Sequence, residues 1–450
     1  MPLRQDEVPQ LTDATAQEPR RRVVYDVTRL VTRALNPAPN GIDRVDFALA
    51  RHFLERREEE RGALVCTAIG PRLADPAKAL KTIESVEAHW REESDAQEDS
   101  VYRAAVASLR AQGGDANVSA RARKAPSFAA LSRNVEALRR WAPHLGRPLR
   151  TLPQGVVYFN ATLFLIDRPW YVGWLASRPD VAPVFFIHDL LPIDAPEFFR
   201  SREALLHPAR MRHVCRYGAG AVVASKSVAR RLMQFAADNG RHDFPICVAP
   251  LPAAPVFSKS VAAPAELDGL SYFVVCGTIE PRKNHILLIN VWRELAREAK
   301  PPKLVIVGKR GWLNAPVVDA LEGDDALRPH VVEAGGLSTP GLRRLLAGAR
   351  ALLTPSLGEG FGLPVVEALA AGTPVIVSDI EAFREIGGAA PDYLDPLDGS
   401  GWLQAVRDFS APQSPRRDAA LLRLKQWSGA DAGGYFATID DFLARLPRRA

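Results

Sequence analysis

From Tyr272 onward, short apolar runs recur at regular intervals, each pair separated by one segment with helical spacing. The runs are Tyr272 to Cys276, Lys303 to Val307, His330 to Glu333, Ala351 to Thr354 and Pro374 to Val377. Runs this short and apolar suit strands buried on both faces, and strands alternating with helices require a parallel sheet covered on both sides. The spacing therefore predicts a doubly wound α/β sheet, in which ligands bind in the loops at the carboxyl ends of the strands. The first half alternates less regularly, with strand-like runs at Val23 to Val27, Val156 to Phe159, Val184 to Ile187 and Ala221 to Ala224. A chain of 450 residues is too long for one core, so two Rossmann-like doubly wound domains are expected.

Texture along the chain sets the expected boundaries. Residues 1–20 are polar and aperiodic, which predicts a disordered tail. A first domain is expected over 21–255, with a charged, helical, basic insertion at about 75–150, and a second over 256–425. The proline-rich stretch Ala249 to Pro255 marks the linker between them. In the first domain, Val45, Leu49 and Phe53 fall on one face of a helix beginning near Ile42. A last helix is expected within 426–450, with Tyr435, Ile439 and Phe442 on its apolar face.

Composition excludes some classes and leaves others. No run approaches the roughly 18 apolar residues a membrane-spanning helix needs, and the N-terminus lacks the apolar centre of a signal peptide. A cytoplasmic location is therefore expected. Cys66, Cys215, Cys247 and Cys276 lie far apart without metal-ligand spacing and read as small buried hydrophobes. The net charge of +6 favours contact with something anionic. Between 121 and 150, eight basic residues face only Glu136 as an acid. That segment is either a surface for an anionic membrane, making the protein peripheral on the inner face of the plasma membrane, or a solvated helical insertion.

Four loops of the second domain carry the candidate chemistry. The first, Gly277-Thr278-Ile279-Glu280-Pro281-Arg282-Lys283-Asn284, sets a glycine and the cations Arg282 and Lys283 before a helix start, as a diphosphate site would. A plain surface Arg-Lys pair is the alternative. The second loop repeats the theme with Gly308 beside Lys309 and Arg310, while Trp312 either covers a ligand or packs. The third, Ala334 to Ser338, exposes backbone near Leu337 that could read a nucleobase edge or simply turn. In the fourth, Gly358 to Leu363, the backbone at Gly360, Phe361, Gly362 and Leu363 leads into a helix with Pro364 in its first turn. Glu359 precedes that helix and Glu367 sits about one turn inside it, so two carboxylates beside one phosphate pocket can accept hydrogen bonds from sugar hydroxyls.

Glu359, seven intervening residues and Glu367, set within EGFGLPVVEALAAGTPVIVSD, resemble the signature of retaining glycosyltransferases of family 4. The likeness extends through GTIEPRKN, VGKRGW and SDIEAFREIGG, over about residues 270–410. It implies the GT-B fold, with two Rossmann-like domains facing a central cleft and a final helix crossing back to the first domain. It implies that Glu359 binds hydroxyls of the donor sugar, that Glu367 binds the ribose, and that Arg282 and Lys283 hold the diphosphate. Thr278 stands where some members carry arginine, which shifts the grip toward Lys283. In the first domain, Asn40 to Val45 is similar to the glycine loop that approaches the donor phosphates, through Gly41. Phe186 to Pro192 resembles the loop whose histidine, here His188, faces the reacting sugar. Ala224 to Ser227 matches the loop after the next strand.

The resemblance implies transfer of a hexose from a nucleoside diphosphate sugar to a saccharide or lipid-linked acceptor, with retention of configuration. Mannose on GDP is the first expectation, because GTIEPRKN resembles bacterial mannosyltransferases of polysaccharide assembly. Cations and helix-end amides can stabilise the departing diphosphate, and no Asp-x-Asp motif suggests a metal, so neither cofactor nor metal is expected. His188, Glu359 and Asp189 are the catalytic candidates, although Asp189 could equally cap a helix. Two other readings compete: a nucleotide-sugar epimerase of the same fold, and a non-catalytic basic protein binding membrane or nucleic acid. The phosphate loops argue against the latter, and no nucleic-acid partner is expected.

Overall fold

The computed structural model describes residues 21–33, 41–67, 69–92, 99–111, 146–258 and 264–447. The expected tail at 1–20 and most of the basic segment, 121–145, lie outside these residues.

Two sheets organise the described chain. The first holds β1 (Val23–Asp26), β2 (Arg61–Thr67), β3 (Gly70–Ala74), β4 (Val157–Asn160), β5 (Ala182–Ile187), β6 (Gly220–Val223) and β7 (Ile246–Val248). Their spatial order is β3-β2-β1-β4-β5-β6-β7, parallel except for the β2/β3 pair. The second holds β8 (Tyr272–Cys276), β9 (Lys303–Val307), β10 (Val331–Glu333), β11 (Leu352–Thr354), β12 (Val375–Ser378) and β13 (Asp392–Leu394). It is wholly parallel, in the order β10-β9-β8-β11-β12-β13. In both sheets the strand order reverses beside the first strand of the domain, which opens a crevice at the carboxyl edge there.

Each sheet is buried on both faces. Alternate residues of β1, β4 and β5 feed opposite cores: Val23, Val157 and Val184 on one side, Val24, Tyr158 and Phe185 on the other. The helix Gly41–Leu54 buries Val45, Leu49 and Phe53 in the first of these cores. In the second domain Phe273 and Val275 face Trp292 and Trp402, while Tyr272 and Val274 face Leu345 and Leu352.

Two segments cross between domains. The last helix, Ala432–Arg445, buries Tyr435, Ile439 and Leu443 in the core of the first sheet, and Asp440 pairs with His52 at 2.9 Å. Phe442 packs partly buried on the same core.

The second crossing departs from the expected boundaries. These place the helix Ser100–Arg110 with the first domain's insertion, yet its Tyr102, Ala105, Val106 and Leu109 sit in the core of the second domain. Its ends are held there too. Asp99 caps the N-terminus through Val101 N at 2.8 Å and accepts a bond from Ser338 N at 2.9 Å. Lys303 Nζ donates to the carbonyls of Ser108 and Ala111 at the other end. By contrast the helix Pro76–Glu92 packs on the first domain, with Ala79 and Ile83 in its core. Among the described residues, no helix is long and apolar enough to cross a membrane.

Candidate active site

The carboxyl ends of β8 and β11 bring the first and fourth loops together. Leu357 N donates to the Arg282 carbonyl at 2.7 Å, which sets the side chains of the two loops face to face. Glu359, with its side chain 7% exposed, lies between both cations: Arg282 Nη1 reaches Oε2 at 2.6 Å, and Lys283 Nζ donates to Oε1. Ser356 Oγ adds a third donor at 2.8 Å. Burial works to raise the Glu359 carboxyl, but Arg282 and Lys283 outweigh it and hold the group down to about 2. Arg282 also pairs with Glu280 at 2.7 Å. Burial opposes its charge, but Glu359, Glu280 and Asp189 together raise its affinity for the proton above the ordinary value.

Glu367 lies on the helix Leu363–Ala370 and is 1% exposed. Burial raises its carboxyl, opposed by Arg44, whose Nη1 stands 2.7 Å from Oε1. At the end of β8 the Cys276 thiol is raised to about 11, by burial first and by Glu367, with Arg44 and Lys283 pulling the other way. Lys283 is bonded to Glu359 in the loop after β11, and Glu367 lies on the helix that follows that loop.

The first domain meets the loop after β11 through backbone. Gly360 carries no side chain against His188: a β-carbon there would stand 2.2 Å from the His188 carbonyl oxygen. Ser225 Oγ donates to the Gly360 carbonyl at 2.7 Å, and the amides of Lys226 and Ser227 donate to Glu385 at 2.6 and 3.3 Å. Phe361 joins the core of the first domain, with Leu363 packed against it, and Gly41 lies nearest Leu363.

His188 retains some surface, but its imidazole is enclosed enough that desolvation lowers it to about 4. Its Nε2 lies 2.9 Å from the Ala161 carbonyl, which can only accept, so Nε2 carries the proton and Nδ1 keeps a lone pair. Asp189 accepts from Leu191 N at 3.1 Å in a local turn, and the N-cap of the helix Leu191–Asp194 is Leu190 rather than Asp189.

The second and third loops are placed differently. A β-carbon on Gly308 would fall 1.8 Å from the Gly277 carbonyl oxygen, so this glycine is required where two loops abut. Arg310 is not a free phosphate ligand: it pairs with Glu333 at 2.7 Å and with Glu322. Of the expected second cation pair, Arg310 is thus held by carboxylates. Trp312 packs, donating to the Phe198 carbonyl at 2.8 Å beneath Arg200. Leu337 packs on the core that contains the helix Ser100–Arg110, and the adjoining Ser338 amide is held by Asp99. Thr278 borders Gly311, where a β-carbon would meet its methyl.

Three contributors went unnoticed in the sequence: Arg44 as the partner of Glu367, Asp99 behind the third loop, and Ser356 on Glu359. Ser356 sits three residues before Glu359 and could have been found by that spacing. The other two depend on contacts between segments far apart in the chain.

Residues 259–390 match the family of glycosyl transferases group 1, and the paired parallel sheets form a GT-B fold. Over nearly its whole length the chain resembles the HepE protein of Anabaena solved with UDP and glucose. The TM-score is 0.57 at 13% identity, covering 95% of this chain and 100% of that one. The lipopolysaccharide outer core galactosyltransferase WaaB aligns with a TM-score of 0.52 at 13% identity, covering 94% and 99%. At such identities the likeness is one of fold.

In sequence the chain is similar to bacterial mannosyltransferases. The serotype-specific mannosyltransferase WbdA of Escherichia coli is 30% identical over 241 residues, 50% of this chain and 29% of that protein. The O-antigen chain mannosyltransferase RfbU of Salmonella typhimurium is 33% identical over 142 residues, 31% of this chain and 38% of that one. The matched stretches thus span less than half the length of either relative.

Proposed function

We propose that the protein is a retaining glycosyltransferase that moves mannose from GDP-mannose to a saccharide or lipid-linked saccharide acceptor. The observation that carries this reading is Glu359 held between Arg282 and Lys283 where the loops after β8 and β11 meet, with Glu367 on the helix that follows. The mannosyltransferase names of the sequence relatives support the choice of sugar.

Without donor, Glu359 neutralises the two cations. An incoming diphosphate competes for Lys283 and frees carboxylate lone pairs for sugar hydroxyls, while Glu367 takes the ribose diol. Leaving-group departure concentrates negative charge on the diphosphate, and Lys283, Arg282 and the amides opening the helix His285–Leu295 are preorganised to stabilise it. No metal is needed for that step on this reading. His188 stays neutral above about pH 4, so its Nδ1 can accept a bond from a donor hydroxyl without adding positive charge beside the reacting carbon. The acceptor enters on the same face, and the departing phosphate takes its proton.

Thermal unfolding with GDP, UDP, dTDP and ADP tests the nucleotide, because a ligand that binds only the native state raises the melting temperature. GDP is expected to give the largest shift, and Lys283→Ala to abolish it. A flat response to every nucleotide at millimolar concentration contradicts the proposal. Loss of GDP-mannose without an acceptor would favour an epimerase.

A further inference from the structure

Glu367 is paired with a residue from the opposite domain. Arg44, on the first turn of the helix Gly41–Leu54, brings Nη1 to 2.7 Å from Glu367 Oε1. The pair is held by charge and distance rather than by an aligned hydrogen bond: Arg44 Nε and both Glu367 oxygens are buried without a hydrogen-bond partner. A buried carboxylate with unused lone pairs can accept hydrogen bonds from a diol while its cation stays in place. The turn that carries Arg44 is itself anchored. Asp43, 1% exposed, binds Arg29 at 2.8 Å and Arg33 at 3.3 Å, and a β-carbon on Gly41 would stand 3.6 Å from Leu363.

We infer that Arg44 is a positioning residue for the donor nucleotide: from across the cleft it holds Glu367 charged and oriented toward the ribose, so nucleotide affinity depends on the acceptor domain. This rests on reading Glu367 as the ribose acceptor. Each alternative role for Arg44 predicts something different. A direct contact with the diphosphate would act independently of Glu367, and a purely structural clamp would act independently of pH.

Among the described residues, few charged or titratable groups surround Glu367. Arg44 comes from the helix Gly41–Leu54; Cys276 comes from β8, its thiol raised to about 11 and so neutral; Lys283 acts on that thiol from the first loop. Burial favours the protonated carboxyl, and Arg44 opposes it. Removing Arg44 therefore moves protonation of Glu367 to higher pH.

Calorimetric titration of the full chain with GDP and UDP, at pH 6.0 and 8.5, tests the inference on wild type, R44Q, R44K, E367Q and R44Q/E367Q. At pH 6.0, R44Q should weaken nucleotide binding several-fold relative to wild type, because fewer molecules keep Glu367 ionised and competent to bind. At pH 8.5 it should recover toward wild type. R44K should lie between the two, and adding R44Q to E367Q should cost nothing more. A loss that is equal at both pH values, or additive with E367Q, overturns the inference. If wild type binds neither nucleotide, the functional reading fails before the inference is reached.

Discussion

Gly360 meets His188 so closely that a β-carbon on the first would stand 2.2 Å from the carbonyl oxygen of the second. This contact joins the loop after β11 to the loop after β5 and fixes how near the donor carboxylate Glu359 comes to the face bearing His188. Gly360→Ala must push the domains apart, and a displacement of about 1 Å at a reacting centre can cost on the order of 100-fold in rate. Turnover of G360A should fall by about that factor while GDP binding changes little, as steady-state kinetics and calorimetry together would show. Equal losses in both would mean that the contact only supports the nucleotide loop.

Under the proposed function the donor's diphosphate competes with Glu359 for Arg282 and Lys283, both of which bind that carboxylate. Glu359→Gln should therefore leave GDP binding unchanged or tighter, yet lower turnover about 100-fold or more by removing a charge-assisted acceptor for the sugar. Weaker GDP binding in E359Q would contradict this division of roles.

Much of this site can be read from the chain, for a physical reason. Strands β8, β9 and β11 are continuous apolar runs because both faces are buried, and their carboxyl ends necessarily share one edge, so loops far apart in sequence are expected together. Four strands escaped notice. Gly70–Ala74 and Ile246–Val248 are the edges of the first sheet and Asp392–Leu394 is an edge of the second, each short or only partly buried. Arg61–Thr67 buries only its centre, Ala63, Leu64 and Val65, between less buried ends, so its apolar run is brief. Arg44 and Asp99 were illegible because their partners, Glu367 and Ser338, lie hundreds of residues away. The helix Ser100–Arg110 has an ordinary amphipathic pattern that says it is buried, not against which domain.

That helix bears on the third loop. Asp99 both caps it and holds Ser338 N, so Asp99→Ala should cost about 1 kcal/mol of stability, as the loss of a cap usually does. It should also loosen the loop after β10 and raise KM for the donor several-fold with kcat little changed. Denaturant unfolding and donor saturation curves measure the two effects. A stability loss with unaltered KM would separate the helix from donor binding.

His285 opens the helix after Lys283, 2% exposed, with neither ring nitrogen hydrogen-bonded. Burial, assisted by Lys283, lowers its pKa to about 3. The unfolded chain takes up this proton near pH 6.5 and the folded one does not, so stability falls as pH drops from about 6.5 toward 3, by at most about 1.4 kcal/mol per pH unit. His188 acts in the same direction down to about pH 4. His285→Leu should match or exceed wild type in Tm at pH 7 and lose less on going to pH 5. Parallel Tm curves for the two proteins would show that His285 is not held neutral.

The central claim is that one donor molecule spans both glutamates while its diphosphate rests on Lys283. A crystal structure of the full chain with GDP-mannose tests it most directly. The account predicts ribose hydroxyls within hydrogen-bond distance of Glu367, sugar hydroxyls at Glu359 and the diphosphate against Lys283. A nucleotide bound elsewhere, or a ribose turned away from Glu367, would contradict it.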